Sequence, residues 1–286
     1  MSDRNLKNLN HMKIQLTLTL LLSLWITSLF AQEFTGTATY KTDRKFDMQM
    51  DSTQLSSDMQ KQLAAQLKKQ FQREYTLNFN NEASLYSEVE KLDQPAPASA
   101  GGVNIVIAGN TDVLYRNVAK EQYVRETEIM GKEFLIKDKP EKIDWKLEKE
   151  SKNIGEYTCF KATFTEEVTD QIWDSATDSL VTDTKTRVTT AWYTLDIPVK
   201  HGPSDFWGLP GLILEINDGE QTILCSKIVL NPQKEVAIEA PKKGKVVNQA
   251  EYDEIQEKKM KEMQERFQES SRREGDGNVF KIRIGG

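Results

Sequence analysis

The chain has 286 residues, with 38 Lys and Arg against 44 Asp and Glu for a formal net charge of −6, and 38% of its residues are hydrophobic. Such an acidic balance argues against nucleic acid and anionic membrane surfaces as partners, and the length suffices for one large domain or two small ones with a real core. Only His11 and His201 carry an imidazole, which excludes a multi-histidine metal centre or an HExxH site.

The first element is an address label. In "MKIQLTLTLLLSLWITSLFAQ", Lys13 precedes an uncharged apolar run from Leu16 to Phe30 and then Ala31 before Gln32. This is the pattern of a secretory signal peptide, with cleavage expected after Ala31. The run is about fifteen residues, short of the roughly 20 that span a bilayer. Translation starts at Met1 with a long n-region or at Met12. Loss of residues 1–31 removes Arg4, Lys7 and Lys13 against Asp3, so the mature charge becomes −6 − 2 = −8. The expected organisation is a leader over 1–31, an antiparallel β domain over 32–247 with a helix at 51–73, and a charged C-terminal helix and tail over 248–286. With no second apolar run of spanning length, no membrane span is expected after cleavage.

Strand signals dominate the next part. "EFTGTATYKT" (33–42) is rich in Thr and aromatic at its ends. The helix that follows carries Leu55, Met59, Leu63, Leu67 and Phe71 at four-residue steps, with Asp51 and Gln54 placed as a capping box. Core packing is the favoured use of that stripe, against a partner groove. "EYTLNFNN" and "SLYSEVE" then read as a hairpin, and "DQPAPASAGG" (93–102) as an exposed loop. "DVLYRNV", "QYVRETEI", "EFLIKD" and "IDWKLEK" follow at roughly ten-residue spacing, the rhythm of an antiparallel meander. "EYTCFKATFTEE" has strand alternation, the Asp/Thr-rich stretch from Glu166 to Thr186 reads as a long hairpin excursion, and "RVTTAWYTL" returns. "QTILCSKIVL" and the short "EVAIEA" are further strands, "PKKGKVV" breaks the pattern, and "NQAEYDEIQEKKMKEMQERFQESSRRE" is a helix with an imperfect apolar edge.

Candidate chemistry is sparse. Cys159 and Cys225 form an even pair available for one disulfide in an oxidising compartment, with two free thiols as the alternative. Met48 and Met50 offer thioethers to a soft metal, but Met in such places commonly packs. Ser204 and Asp205 near His201 invite a hydrolase reading, yet triad members meet through the fold and no GxSxG elbow is present. No phosphate loop occurs, and no cofactor or metal is called for.

The richest stretch is "GPSDFWGLPGLILEI" (202–216). Leu209-Pro210-Gly211-Leu212 fits a type II turn, with Gly211 supplying positive φ, and launches a strand. Gly202 and Pro203 make an earlier corner, and Gly208 allows close approach or a second positive φ. Two corners fold Phe206 and Trp207 over something. They either plug the core or, with Trp192, Tyr193, Leu209 and Pro210, form an aromatic lip on a binding pocket.

"GLPGLILEI" resembles the signature of the GLPGLI, or Porph_ging, family of secreted proteins abundant in Bacteroidetes. "SLYSEVE", "IDWKLEKESKNIGEYTCFKAT" and "AWYTLDIPVKHGPSDFWGLPGLILEI" extend the resemblance over roughly Tyr75 to Leu230. It departs from the family at the insertion between Phe164 and Arg187 and at Leu195, where a proline is common. The resemblance implies secretion and a mostly β fold with no assigned activity, and it carries over no catalytic residue.

The expected fold is mainly β (α+β): a curved antiparallel sheet, half-barrel in form by analogy of strand order, with one helix packed on its concave side and a C-terminal helix. The expected role is a secreted or periplasmic accessory or binding protein of the cell envelope that engages an apolar ligand or an outer-membrane protein. A structural interaction module with a filled core and an open sheet edge is the first alternative, and a hydrolase the second.

Overall fold

A computed structural model describes residues 34–45, 72–89, 98–100, 103–105, 112–174, 179–234 and 236–273, with helical positions 58, 61, 62, 65, 66 and 68. The leader with its cleavage point, the stripe from Leu55 to Phe71, Met48, Met50 and the tail beyond 273 lie outside the described residues. The six described positions between 58 and 68 are helical and exposed, and none of them belongs to the apolar stripe.

Twelve strands form one sheet. They are β1 (Thr35–Arg44), β2 (Glu74–Asn80), β3 (Ala83–Glu88), β6 (Val113–Asn117), β7 (Gln122–Ile129), β8 (Lys132–Asp138), β9 (Lys146–Ile154), β10 (Tyr157–Asp174), β11 (Ser179–Thr194), β12 (Leu212–Asn217), β13 (Gln221–Leu230) and β14 (Lys245–Val247). A separate two-stranded sheet pairs β4 (Ala98–Ala100) with β5 (Val103–Ile105), so part of the expected loop at 93–102 is strand. The spatial order is β14-β8-β7-β6-β3-β2-β1-β13-β12-β11-β10-β9. All neighbours in it are antiparallel except β14, which lies parallel to β8. The sheet is open, with β14 and β9 at its edges.

Curvature follows from connectivity. The seven residues between Asp138 and Lys146 join β8 to β9, which stand ten places apart in the order. Laid flat, ten strand spacings would cover roughly 48 Å, whereas eight residue steps reach at most about 29 Å. The sheet therefore curls until its two flanks approach. Register shifts at Thr39/Tyr40, Phe160/Ala162 and Trp192/Tyr193 supply local bends.

The concave face is packed by Ala38, Tyr40, Leu77 and Phe79, all essentially fully buried. Gly36 belongs to the same row because a Cβ there would strike the Phe79 ring at 2.4 Å. The convex face of β3, β6, β7 and β8 is also covered. Ala83, Tyr115, Val124 and Leu135 form a cluster against Leu85, Ile238 and Ala240. This corrects the reading of "EVAIEA" as a strand: its described residues, 236–240, run without ladder pairing and pack the partly buried Ile238 and Ala240 on the sheet's outer side, while the expected break at "PKKGKVV" contains β14.

The helix α1 (Gln249–Arg273) starts where β14 ends. Asn248 and Glu251 make a reciprocal capping box: the Glu251 N–H donates to Asn248 Oδ1 (2.8 Å) and the Asn248 N–H to Glu251 Oε2 (3.0 Å). Tyr252, which is buried, meets Phe134 edge-on at 5.8 Å and anchors the helix to β8. No described helix is long and apolar enough to cross a membrane.

Candidate functional site

Between β11 and β12 the chain makes a strap, residues 195–211, that crosses the interior of the curled sheet. Its ends are held by backbone bonds, Leu212 N–H to Ile197 O (2.9 Å) and Ile213 N–H to His201 O (3.1 Å). Its middle touches both flanks at once. Asp205 accepts two hydrogen bonds from Arg125 on β7 (2.5 and 2.6 Å), and the next residue, Phe206, lies against Phe164 on β10 at 6.2 Å. β7 and β10 are eight places apart in the sheet. Two consecutive residues can reach both only because the flanks face each other across the interior.

Trp207 closes the remaining gap. Its Nε1–H donates to Glu141 O (2.8 Å), and its own carbonyl accepts from Trp145 Nε1–H (2.8 Å). Both partners lie in the linker between β8 and β9. The Arg116 guanidinium sits 5.6 Å from the centre of the Trp207 ring. Phe206 and Trp207 thus tie the strap to the opposite wall.

The glycines act differently from the sequence expectation. Positive φ occurs at Gly208 (95°) and Ser204 (51°), and Gly211 does not have it. Gly211 is required for space, because a Cβ there would lie 1.9 Å from the Thr194 carbonyl oxygen. The type II turn with its left-handed Gly211 is therefore not the reason for the motif; backbone-to-backbone contact with the end of β11 is. Gly202 is crowded in the same way, with Phe206 O at 2.6 Å and Ile213 Cδ1 at 2.7 Å from its virtual Cβ. Pro203 and Leu209 are buried and Pro210 is exposed.

The other predicted residues do not converge on one pocket. Tyr193 is buried beside Phe160 at 6.2 Å, and Trp192 is half-buried beneath the Lys152 ammonium, 4.4 Å from its ring centre. Cys159 on β10 and Cys225 on β13 are both free, so the bridge does not form; β11 and β12 stand between their strands. Burial pushes their thiols up, to about 11 for Cys159 and about 12 for Cys225, which keeps both protonated and unreactive.

His201 is fully enclosed, and its Nε2–H donates to Asn80 O (3.0 Å) at the turn between β2 and β3. Burial first and the nearby Arg116 second lower its pKa to about 4. A triad with Ser204 and Asp205 is not assembled. The imidazole donates to backbone, Asp205 is held by Arg125, and no face of His201 meets solvent.

The residues the sequence reading missed are Arg116 and its surroundings. Arg116 is 2% exposed, donates to Ser204 O (3.1 Å) and lies 4.0 Å from Asp205. Burial pulls its pKa down to about 10, against the opposing pull of Asp205. The available signal was alternation: in "VLYRN", Leu114 and Arg116 share one strand face, and a charge in a core register demands a partner. Removal of that partner by Asp205→Ala is expected to cost about 2 kcal/mol in urea unfolding, discounted because Asp205 is half-exposed. In an Arg116→Met background the same change should cost less, the remainder being the loss of the two Arg125 hydrogen bonds; equal costs would show that Arg116 and Asp205 are not coupled.

Beside the strap, at the end of the sheet where β1 finishes and β2, β6 and β13 begin, is a cleft of about 260 Å³. Its walls include Tyr75, Tyr86, Arg125, Ser204, Asp205 and Asp218, with Leu114 and Ile223 among the apolar atoms. Tyr75 and Tyr86 are stacked, 5.0 Å apart and 8° from parallel. No group of three or more His, Cys, Asp or Glu able to hold a metal occurs among the described residues.

The geometry defines a class: a mainly β protein whose open curled sheet is laced internally by a glycine- and proline-bearing strap. Residues 145–215 match the family model described as "Protein of unknown function (Porph_ging)", so the resemblance carried by GLPGLILEI is shown over that stretch. The matched segment starts at Trp145, which holds Trp207 O, and includes the whole strap. No curated protein is matched. Among solved structures, PNGF-II in C2 and P21 space groups is similar at TM-score 0.46 in both cases, with 15% and 13% identity over 79% and 78% of this chain. The chain spans about a third of the length of those proteins, 33% in each.

Proposed function

We propose that this protein is a non-enzymatic interaction module of the cell envelope, secreted or periplasmic, that engages an outer-membrane protein by strand addition. The supporting observation is the projecting ribbon of β10 and β11. The last described pairing of β10 with β9 is Thr163 with Lys146, and that of β11 with β12 is Thr190 with Asn217. Beyond those points the two strands pair only with each other among the described residues, from Thr165/Val188 to Asp174/Ser179. That is roughly 33 Å of two-stranded ribbon. An isolated ribbon of this kind is marginal in water, and its edges are templates for another strand. Export is supported by the leader-like sequence of residues 12–31.

Two other readings have less support. An apolar ligand beneath Trp207 would need a cavity there, but the Trp207 ring is occupied by Arg116 and the 139–145 linker. A hydrolase would need an accessible base, and His201 is enclosed.

The test replaces 168–183 with an Asn-Gly turn and places a photo-crosslinker at Thr165 or Thr186 in the producing cell. The shortened protein is expected to melt within a few degrees of the parent, and the crosslinkers to capture one discrete envelope protein that the shortened variant cannot. Equal capture from a control crosslinker at Lys227 on β13 would overturn the proposal.

A further inference from the structure

We infer, resting on the strand-addition reading of the ribbon, that its far end is an anchor that enters an apolar pocket of the envelope partner, a pocket rimmed by Lys or Arg. The last three cross-strand pairs before the turn are Ile172 with Val181, Trp173 with Leu180 and Asp174 with Ser179. Successive residues of a strand belong to opposite faces, so Ile172 and Val181 share one face of the ribbon and Trp173 and Leu180 the other. A two-stranded ribbon has no interior to fill. Four large apolar residues grouped on both of its faces, at the end remote from the body of the sheet, are the pattern of an interaction site. Trp is also the residue type that most often dominates the binding energy of a protein interface.

Charge selects the rim of that pocket. Between Glu166 and Lys185 the chain carries five carboxylates, Glu167, Asp170, Asp174, Asp178 and Asp183, and no Lys or Arg. Asp170 and Asp183 are direct register partners, two residues short of Ile172 and Val181. Like charges placed opposite one another destabilise a strand pair, and a cation brought in by a partner offsets that cost. The same collar of carboxylates is repelled by an anionic lipid surface. A protein pocket with an apolar floor and a cationic rim satisfies both the tip and its collar. Strand addition uses the main-chain groups of a ribbon edge, whereas insertion uses the residues of the last pairs, so one partner can engage both.

The experiment places a photo-crosslinker at Ser179, beside the tip, or at Thr165, at the root of the ribbon, in the full chain in its producing cell, and also measures binding of the purified mature chain to phosphatidylcholine vesicles. Both crosslinkers are expected to capture the same envelope protein. Trp173→Ala should lower capture from Thr165 by about tenfold or more, with Tm within about 2 °C of the parent because the position lies beyond the core. Asp170→Asn combined with Asp183→Asn should lower it severalfold, and the vesicles should not bind. Capture at Thr165 alone overturns the anchor and leaves strand addition standing, capture at Ser179 alone does the reverse, and capture at neither overturns both. Undiminished capture by the Trp173→Ala chain also overturns the anchor. Vesicle binding that Trp173→Ala abolishes overturns the protein pocket in favour of lipid, and full capture by the double Asn chain overturns the cationic rim. A fall in Tm of more than about 5 °C in Trp173→Ala assigns that residue to the core and overturns the anchor as well.

Discussion

Gly211→Ala should be the most damaging small substitution in this protein, costing about 4 kcal/mol or more. The added methyl would sit 1.9 Å from the Thr194 carbonyl oxygen, and both colliding groups are backbone. No rotamer change relieves such a clash, so the strap must leave the end of β11 or β12 must shift register. Either movement disrupts Leu212 and Ile213, which are fully buried, and the backbone bonds that close the strap. Overpacking in a rigid interior reaches the upper end of mutational costs in this situation. At about 2–4 °C per kcal/mol for a domain of this size, Tm should fall by roughly 10 °C or more. Gly208→Ala is the control: nothing lies within 4 Å of its virtual Cβ, and only its φ of 95° opposes a side chain. That strain is of order 1–2 kcal/mol. If differential scanning calorimetry finds the two substitutions equal, the close approach at Gly211 is not what the motif conserves space for.

The second large effect is on acid stability. His201 has a folded pKa of about 4, lowered by burial and then by Arg116, against about 6.5 in an unfolded chain. The folded state therefore holds fewer protons than the unfolded state between those values. The stability linked to the neutral imidazole is complete above about pH 6.5. It is lost as pH falls from 6.5 to 4, and the full difference is about 3 kcal/mol, of which about 2 is gone by pH 5. His201→Gln, whose amide can still donate to Asn80 O, should flatten this part of the curve of unfolding free energy against pH. Because the only other histidine is His11, a chain lacking the leader has a single imidazole to follow by NMR. Its ring signals should stay in the neutral form down to about pH 4.5. A midpoint near 6.5 would mean that His201 is solvated and that the strap does not seal it.

Alternation and turn chemistry made most of the strands legible from the sequence. "QTILCSKIVL" coincides with β13, and the paired arms at 166–186 form the hairpin expected of a polar, turn-poor excursion. The strand pattern in "IDWKLEK" begins three residues before β9, because Ile143, Asp144 and Trp145 have strand-like composition but belong to the linker that meets Trp207. β14 has no signature in the sequence, since three residues after a run of Lys and Gly carry no period, and its parallel pairing with β8 is a tertiary fact. The corner at Gly202 and Pro203 and the inward turn of Phe206 and Trp207 were readable from Gly and Pro alone. What they turn toward was not, because Arg116, Arg125, Glu141 and Trp145 lie 62 to 88 residues from the atoms they bind. Local sequence reports a bend, but not what lies on its other side.

The seam between β1 and β13 determines the order in which the molecule can be assembled. Apart from β14, which returns to β8 at one edge, the described strands on either side of it pair with near neighbours in sequence, β1 to β8 in one half and β9 to β13 in the other, while Thr35 and Asn231 bond across 196 residues. A chain that emerges from its N-terminus must keep one edge of β1 unpaired until β13 exists, and the loop closed by that pairing spans up to 196 residues, about two thirds of the chain. Neither half can curl around the strap before then, since the strap touches both. Completion of the last third of the sequence, rather than formation of any single hairpin, is thus the step at which this sheet becomes a folded object.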